Sequence, residues 1–480
     1  SYYKNNRISG HRDQKKWKST IKNFEKIFQD YEEAKKKLRV IDFDDMLTNA
    51  YETIKNEYEI SKTIRNRYGY VNVDESQDTS MLQHEMIRQL VRGHNNLFMV
   101  GDEDQSIYAF RAAYPKALLD FPKTYPKSQV LLMEKNYRST KHIVTHSNRF
   151  IRQNKDRYEK EMFTDREKGT RIKSVVVREK NDQYLHVAKQ LLQKSDNETC
   201  AVLYRNNLSG VAMAHCLKTA NIPYYIKEEK SNFFHHWVIK DILYFMEFSM
   251  DLKNRSIFRK IYFKMNAYIS KEMIAYVEKT DPKQNIFDCL LDNPKLFSYQ
   301  KQKIREKKRQ FEKMTAMPAN KMIKYIVETI GYGDFLDAQG KNDKQELDPL
   351  RQRLNILQWV TDKAKTITEY KEQLASLQAD MKQAKDREWP GIVSLMTVHS
   401  SKGLEYDRVY IVDLMEGIFP NSQNSDEMKE SEGAMEEEIR LFYVAATRAK
   451  DSLELIGAKE MDRKKVETSR FVEAYMKKRK

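Results

Sequence analysis

The sequence of 480 residues has few cysteines and no long apolar runs. Its three cysteines, Cys200, Cys216 and Cys289, form no C-x-x-C pair, which argues against a zinc ribbon or a four-cysteine iron–sulfur site and fits a reducing cytosol. His235 and His236 have no partner ligands at metal-binding spacing. No segment approaches the roughly 18 uninterrupted apolar residues of a membrane-spanning helix. We therefore expect a cytoplasmic protein that does not associate with a membrane.

Basic residues outnumber acidic ones, and the excess is concentrated near the start of the chain. Lys and Arg total 86 against 70 Asp and Glu, a net charge of +16. The first 40 residues contain 12 basic and 5 acidic side chains, together with Tyr2, Tyr3 and Trp17. This combination suits contacts with the phosphates of a nucleic acid. The alternative, which charge alone does not exclude, is a lysine-rich solvated surface.

The apolar pattern predicts α/β segments interrupted by a long helical segment. Residues 1–37 have helical periodicity, and from residue 42 to 141 helices alternate with short apolar strands, which indicates a parallel sheet. A second α/β set follows, with helical pattern from Trp237 to about Gln383 inserted in it. The predicted strands are Tyr70–Val73, Leu97–Val100, Val130–Met133, Ile172–Val177, Cys200–Tyr204, Ile392–Thr397, Val409–Val412 and Leu453–Ile456.

Two of these strands end in carboxylate or amide side chains. Asp74 and Glu75 follow the first strand, and Gln105 follows the second. The carboxyl ends of strands in an open parallel sheet are where nucleotides bind. Asp74 can hold Mg²⁺, Glu75 can polarise the attacking water, and Gln105 is long enough to touch a γ-phosphate. The alternative reading of Asp-Glu after a strand is a turn or a helix N-cap.

Aromatic and basic side chains follow Gln105 closely. Tyr108 and Phe110 offer rings on which bases can stack, and Arg111 adds a cation. Aromatic residues near an arginine also occur as ordinary core or surface filler. A nucleotide sensor and a nucleic-acid contact within a dozen residues indicate a motor protein.

Three further segments extend this pattern: 132–140 (LMEKNYRST), 393–406 (VSLMTVHSSKGLEY) and 437–450 (EEIRLFYVAATRAK). With residues 71–78 and 98–111, they resemble the signature motifs of the UvrD/Rep/PcrA family of superfamily 1 DNA helicases, in the order of that family. The resemblance covers nearly the whole chain and is weakest between about residues 250 and 385. Additional matches lie at 40–47, 201–207, 222–224 and 416–420.

The resemblance implies an α/β fold with two RecA-like parallel-sheet motor domains and ATP bound between them. The first motor domain would be incomplete, and the second would contain a large helical insertion. The implied division is 1–40 (helical remnant of an insertion in the first domain), 41–141 (C-terminal part of the first RecA-like domain), 142–232 with 386–475 (second RecA-like domain) and 233–385 (helical insertion).

The same resemblance implies roles for residues around the nucleotide. Arg138 and Arg448 match arginines that reach the γ-phosphate, and Gln105 matches the γ-phosphate sensor. Tyr137 matches the residue that stacks on the base, and Glu405 matches the one that bonds the ribose. Arginine suits phosphate because its planar fork binds two oxygens and stays charged. The implied cofactors are ATP and Mg²⁺.

A second set of matching residues concerns DNA. Tyr108, Phe110, Arg111 and His399 match positions that line the single-stranded DNA channel or couple it to ATP. Phe110 stands where the family pattern has tryptophan, and Ile439 replaces the usual arginine of the last motif. The resemblance implies binding to single-stranded and junction DNA and movement with 3′→5′ polarity.

One expected motif does not occur in this sequence: the phosphate-cradling loop G-x-x-x-x-G-K-[ST]. Its only Gly-Lys pair, Gly340-Lys341, is followed by Asn342, and Phe335 occupies the place of the first glycine. We therefore expect the chain to be inactive alone and to need an N-terminal segment of the same protein as a partner. The alternative is a DNA-binding or regulatory module without ATPase activity, whereas a helicase fused to a nuclease finds no support.

Overall fold

The structure is a computed structural model that describes residues 21–227, 232–342, 344–421, 432–461 and 464–477. The described residues form two compact units. The first is drawn from Ser1–Arg171, Asn424–Asp451 and Glu473–Lys480, and the second from Ile172–Gln423 and Ser452–Val472. Tyr2, Tyr3, Trp17 and most of the basic excess predicted to contact phosphates lie outside the described residues.

The first unit contains a two-stranded parallel sheet of β1 (Val71–Val73) and β2 (Leu97–Met99), in which Val71 is opposite Leu97 and Val73 opposite Met99. The strand predicted at Val130–Met133 was wrong, because this segment has no regular secondary structure. Its Leu131 and Met133 are 81% and 82% exposed. A strand requires a neighbour for its backbone hydrogen bonds, and none of the described strands pairs with it.

Helices flank this small sheet. The helix at Met81–Leu90 begins with a capping box, in which Ser80 Oγ accepts a hydrogen bond from Gln83 N and Gln83 Oε1 accepts one from Ser80 N. The described helices of the first unit are Phe24–Leu38, Phe43–Asn56, Tyr58–Arg67, Met81–Leu90, Lys116–Leu119, Phe121–Thr124, Lys141–Ile151 and Glu432–Ala446. Short 3₁₀ turns lie at Ser76–Asp78, Glu103–Gln105 and Ala109–Arg111.

The second unit is built on a larger sheet whose strand order is β3-β8-β7-β4-β6-β5, with β9 antiparallel to β8. The pairings of β3 with β8, β7 with β4, β4 with β6 and β6 with β5 are parallel. The central strand β4 is buried at every residue, as expected for a parallel strand covered on both faces. The strands are β3 Lys173–Glu179, β4 Cys200–Tyr204, β5 Tyr224–Ile226, β6 Val393–Thr397, β7 Tyr406–Ile411, β8 Ala449–Met461 and β9 Lys464–Lys465.

The helical segment predicted between β5 and β6 is confirmed. It has a core of buried aromatic rings, among them Phe245, Phe248, Phe258, Phe287 and Phe311. The described helices of the second unit are Asp182–Leu191, Asn207–Thr219, Trp237–Met250, Arg255–Ile261, Lys271–Val277, Ile286–Leu291, Ser298–Thr315, Ala319–Tyr325, Ile326–Ile330 (a π-helix), Tyr332–Asn342, Lys344–Val360 and Ile367–Gln383. Short 3₁₀ turns of this unit lie at Tyr262–Lys264 and His399–Ser401. A further helix, Arg470–Met476, belongs to the second unit up to Val472 and to the first unit from Glu473.

The predicted α/β class is confirmed by these parallel sheets with flanking helices. The division of the chain into four parts at residues 40, 141, 232 and 385 stays a prediction. Among the described residues, none of the helices combines the length and the apolar character that a bilayer-spanning helix requires.

Candidate nucleotide and nucleic-acid site

A cleft of about 1570 Å³ in the first unit runs along β2, from residues 92–95 before that strand to the residues that follow the carboxyl ends of β1 and β2. Its polar lining includes Asp74, Glu75, Gln77, Asp102, Gln105 and Lys160, and its apolar lining includes Phe98, Val100, Leu131, Leu132 and Met133. Part of the apolar lining is exposed to solvent: Phe98 is 60% exposed and Leu132 46%. The cleft is larger than the roughly 300–1,000 Å³ of typical small-molecule sites.

Asp74 and Glu75 lie directly after β1 and present exposed carboxylates to this cleft. The chain turns sharply here, because Glu75 has a φ of 49° in the left-handed region. A non-glycine residue in this region carries a conformational cost and is found most often where other contacts impose it. One such contact is adjacent: Ser76 donates to the carbonyl of Val100 from its backbone N at 3.0 Å and from its Oγ at 2.8 Å.

Gly101, the second residue after β2, allows the two strand ends to approach closely. A Cβ atom at this position would lie 2.5 Å from Ser76 Oγ, 2.6 Å from Gln77 Oε1 and 2.9 Å from a methyl of Leu118. A side chain at position 101 would therefore require these neighbouring side chains to shift. The residues that follow β1 and those that follow β2 therefore pack closely because position 101 is a glycine.

Gln105 contacts one of the predicted arginines. Arg448 Nη2 donates to Gln105 Oε1 at 3.1 Å, and Arg448 Nε donates to the carbonyl of Val444 at 2.9 Å. Arg448 is only 1% exposed. Burial and, to a smaller extent, the nearby charge of Arg138 lower its pKa to about 10, so the side chain remains a cation at neutral pH. A buried arginine is thereby held against the predicted sensor.

Arg138 and Tyr137 belong to a turn that is organised by Asn136. Asn136 Oδ1 accepts hydrogen bonds from Arg138 N at 2.9 Å and from Ser139 N at 2.8 Å. Arg138 is half-buried and donates to the carbonyl of Thr447 at 3.4 Å, whereas Tyr137 is 75% exposed with Lys135 Nζ 5.2 Å from its ring centroid. The exposed ring has the accessibility that stacking on a base requires.

The predicted DNA-contacting residues after Gln105 form one cluster. The rings of Tyr108 and Phe110 meet edge-on with centroids 5.9 Å apart. The guanidinium of Arg111 lies 5.2 Å from the Tyr108 centroid and 5.5 Å from that of Phe110. Phe110 is 59% exposed, so one aromatic face beside a cation is presented to solvent.

His399 and Glu405 lie in the second unit. His399 begins the 3₁₀ turn that follows the carboxyl end of β6, and Glu405 is an exposed residue immediately before β7. The structure therefore gathers Asp74, Glu75, Gln105, Arg138 and Arg448 in the first unit. The functional assignments of all these residues stay predictions.

The structure also reveals polar residues that the sequence analysis missed. Lys160 and Arg157 form buried ion pairs with the carboxylates of Asp102, Glu103 and Asp104, which immediately precede Gln105. The pairs join positions more than 50 residues apart. No local spacing in the sequence indicates such a pairing. The one available signal was the run of three acidic residues, 102–104, shortly after the apolar strand β2.

Comparison with protein families gives two matches that together cover nearly the whole chain. Residues 1–126 match the UvrD/REP helicase N-terminal domain, and residues 131–460 match the UvrD-like helicase C-terminal domain. The second match alone spans more than half of the chain.

Named relatives agree with these matches. The chain is 30% identical to the ATP-dependent DNA helicase Rep of Buchnera aphidicola (subsp. Acyrthosiphon pisum), covering 94% of this chain and 73% of that protein. It is 29% identical to DNA helicase II of Escherichia coli (91% of this chain, 62% of that protein) and 27% identical to the helicase PcrA of Staphylococcus epidermidis (90% and 61%). The chain thus spans about three fifths to three quarters of the length of these relatives. With its parallel sheets, its ordered motifs and these matches, the chain belongs to the UvrD/Rep-like family of DNA helicases.

Proposed function

We propose that the complete protein is an ATP-driven DNA helicase and translocase that binds single-stranded and junction DNA and moves with 3′→5′ polarity. The observation that carries the proposal is the contact between Arg448 and Gln105, which are 343 positions apart in the sequence and are joined at 3.1 Å. A buried arginine on a glutamine at a strand end has the chemistry of a phosphate sensor coupled to a charge-stabilising cation.

ATP and Mg²⁺ would find suitable partners in this site. Asp74 offers an exposed carboxylate oxygen, the ligand type that Mg²⁺ prefers, and Arg138 and Arg448 offer cationic forks for phosphate oxygens. Bound Mg²⁺ would neutralise developing charge on the phosphates. We propose that Glu75 orients and polarises the attacking water, that Tyr137 stacks on the base and that Glu405 bonds the ribose.

The cluster of Tyr108, Phe110 and Arg111 supports a contact with unpaired DNA. Unpaired bases expose their faces for stacking, whereas a duplex keeps them hidden, and the cation beside the rings complements a phosphate. His399, which follows strand β6, would contribute to the same channel or to its coupling with ATP.

The phosphate-cradling loop would come from a segment of the protein outside this sequence. In support, the sequence contains no G-x-x-x-x-G-K-[ST], and the cleft beside Asp74 and Gln105 has room for more than a nucleotide. We propose that residues 1–480 alone are inactive for this reason. We also propose the four-part domain division given above and a cytoplasmic location, which the three buried, unpaired cysteines support.

The test is a measurement of ATP hydrolysis by the complete natural protein with and without a single-stranded oligonucleotide. Hydrolysis stimulated by DNA and lost in a Glu75→Gln variant that still binds nucleotide would support the motor. DNA binding without hydrolysis in the complete protein would instead indicate a DNA-binding or regulatory module. Unwinding of duplexes with a 3′ or a 5′ single-stranded tail decides the polarity.

A further inference from the structure

Three consecutive acidic residues, the partly exposed Asp102 and the buried Glu103 and Asp104, lie directly before the predicted sensor Gln105. Asp102 follows β2, and Glu103 and Asp104 begin the 3₁₀ turn Glu103–Gln105 with exposures of only 3% and 2%. Burying several carboxylates in one place is costly unless cations and hydrogen bonds compensate them. In this fold, the costly burial of acidic side chains occurs at the edge of the candidate site.

Lys160 provides the compensating charge for all three carboxylates. Its Nζ lies 2.6 Å from Asp102 Oδ1, 3.0 Å from Glu103 Oε1 and 3.3 Å from Asp104 Oδ2. Burial alone would lower the pKa of Lys160, but the three carboxylates raise it above its ordinary value, so the ammonium is permanent. The three acidic groups are close enough together to hold a metal ion, and Lys160 occupies the corresponding cationic position.

Arg157 and the backbone complete the enclosure. Arg157 donates to both oxygens of Asp104, from Nε at 3.0 Å and from Nη2 at 2.8 Å, and its side chain is 11% exposed. The backbone N of Tyr158 donates to Glu103 Oε1 at 2.9 Å. A single short segment, residues 157–160, therefore forms hydrogen bonds and ion pairs with all three residues from Asp102 to Asp104.

Asp102 links the segment 157–160 to the sensor Gln105, because its carboxylate contacts both Lys160 and Gln105. While Oδ1 faces Lys160, Oδ2 accepts a hydrogen bond from Gln105 Nε2 at 2.6 Å. Because a carboxylate only accepts and Arg448 only donates, the Gln105 amide has one satisfactory orientation, with its NH₂ on Asp102 and its carbonyl oxygen on Arg448. The orientation of the sensor amide is thus set by its two charged neighbours.

The same carboxylate residue connects to Glu75 through Gln77. The backbone N of Asp102 donates to Gln77 Oε1 at 3.0 Å, and Gln77 Nε2 donates to Glu75 Oε2 at 2.5 Å. A continuous chain of hydrogen bonds therefore runs from Glu75 through Gln77, Asp102 and Gln105 to Arg448. Lys160 contacts this chain at its midpoint, Asp102.

We propose that Lys160, assisted by Arg157, is a positioning residue for ATP hydrolysis, which acts by fixing Asp102 and through it the orientation of Gln105. The inference rests on the proposed ATPase function. It assigns the segment 157–160 a role in turnover rather than in nucleotide binding. Loss of the Lys160 charge should therefore reduce kcat for DNA-stimulated hydrolysis while KM for ATP changes little.

The experiment is a double-mutant cycle in the complete natural protein, with Lys160→Met and Gln105→Ala made singly and together. We expect Lys160→Met to lower kcat at least about 10-fold with less than about a threefold change in KM, and to cause no further loss in the Gln105→Ala background. Lys160→Arg, which keeps the cation, should recover most of the turnover. Lys116→Met is the matched control, because Lys116 forms an exposed pair with Asp156 at 3.1 Å and should leave kcat unchanged.

Each result decides the inference. An equal kcat loss from Lys160→Met with and without Gln105, or a loss only in KM, would overturn it while leaving the ATPase intact. If Lys160→Met does not fold, as judged by thermal unfolding, Asp102→Asn is measured in the same cycle with the same criterion. A wild-type protein without DNA-stimulated hydrolysis would overturn the proposed function, and the inference with it.

Discussion

Glu75 combines an exposed carboxylate with a left-handed backbone, immediately after a parallel strand. The hydrogen bond from Gln77 orients the carboxylate, and Ser76 ties the turn to the carbonyl of Val100. A general base, the role proposed for Glu75, is useful only in a defined position, and the local structure holds Glu75 in one at a conformational cost. The conformational cost at Glu75 is consistent with the role proposed for it.

Glu75→Gln should abolish turnover while leaving nucleotide binding intact. The amide keeps the size of the side chain but cannot take up a proton from water, and Asp74 remains available for Mg²⁺. We expect kcat of the complete protein to fall by at least about 10²-fold, with the affinity for a fluorescent ATP analogue unchanged. The measurement is steady-state phosphate release with a parallel binding titration; a near-normal kcat would contradict the assignment.

Arg448→Ala should also lower kcat strongly. The change removes a buried cation that contacts Gln105, and comparable phosphate-binding arginines contribute roughly 10³–10⁵ in rate in other phosphoryl-transfer enzymes. Arg448→Lys is the matched control, because it keeps the charge and loses the planar fork. An effect of Arg448→Ala on KM alone would show that the residue only binds nucleotide.

The 3₁₀ turn Ala109–Arg111 places one aromatic ring and one guanidinium side by side on the surface of the first unit. Phe110→Ala should weaken binding of single-stranded DNA by about 1–3 kcal/mol, because a stacking face is lost. The salt dependence of binding should stay the same, because no phosphate contact is removed.

Substitution of a lysine should have the opposite effect on DNA binding, a change in its salt dependence. Lys26 is an exposed residue of the helix Phe24–Leu38, and Lys26→Ala should flatten the salt dependence if Lys26 contacts a phosphate, by about 0.7 in the log–log slope for a single strand. Fluorescence anisotropy with a labelled oligonucleotide at several salt concentrations measures both variants. Unchanged affinity of a folded Phe110→Ala protein would show that Phe110 is packing rather than a stacking platform.

The helix Ser298–Thr315 contains a lysine that tests stability instead of function. Lys307 is 3% exposed and donates to the carbonyl of Ile330 at 2.8 Å, at the end of the π-helix Ile326–Ile330. Burial and, to a smaller extent, the charge of Lys303 lower its pKa to about 8, although Glu306 and Asp334 act in the opposite direction.

A lowered lysine pKa has a defined consequence for stability. Between about pH 8 and the ordinary lysine pKa, the unfolded chain binds more protons than the folded one, so this group makes the free energy of unfolding rise with pH. Lys307→Met should remove that contribution, about 2 kcal/mol between pH 7 and pH 9.5. Urea unfolding of wild type and variant at both pH values measures it, and an identical pH response of the two proteins would contradict the prediction.

At the scale of the whole molecule, the described structure brings together the residues that would polarise water and stabilise charge, but the sequence contains no cradle for the β- and γ-phosphates. Backbone amides and the loop lysine of such a cradle contribute much of the affinity for a nucleoside triphosphate. Purified residues 1–480 should therefore show ATP hydrolysis no higher than background, with or without DNA. Robust turnover by this chain, lost on Glu75→Gln, would show that other groups replace the cradle.

The sequence by itself determined the family and the α/β class, because short ordered motifs encode chemistry locally, whereas the site residues offered by the motifs stay predictions. Asp74 and Glu75 had to follow a strand, and the apolar run Cys200–Tyr204 had to be a buried parallel strand. The predicted strand Val130–Met133 failed, because whether an apolar run pairs depends on a neighbour that the run itself does not specify.

Only the tertiary structure decided which distant residues meet. It placed Arg448 on Gln105, and Lys160 and Arg157 on the buried acidic run at Asp102, contacts that no periodicity or spacing predicts. The physical reason is that burial changes what a charge requires: an acidic residue in water needs no partner, whereas buried carboxylates such as those of Glu103 and Asp104 need cations at hydrogen-bonding distance. Where those cations come from is a property of the folded chain.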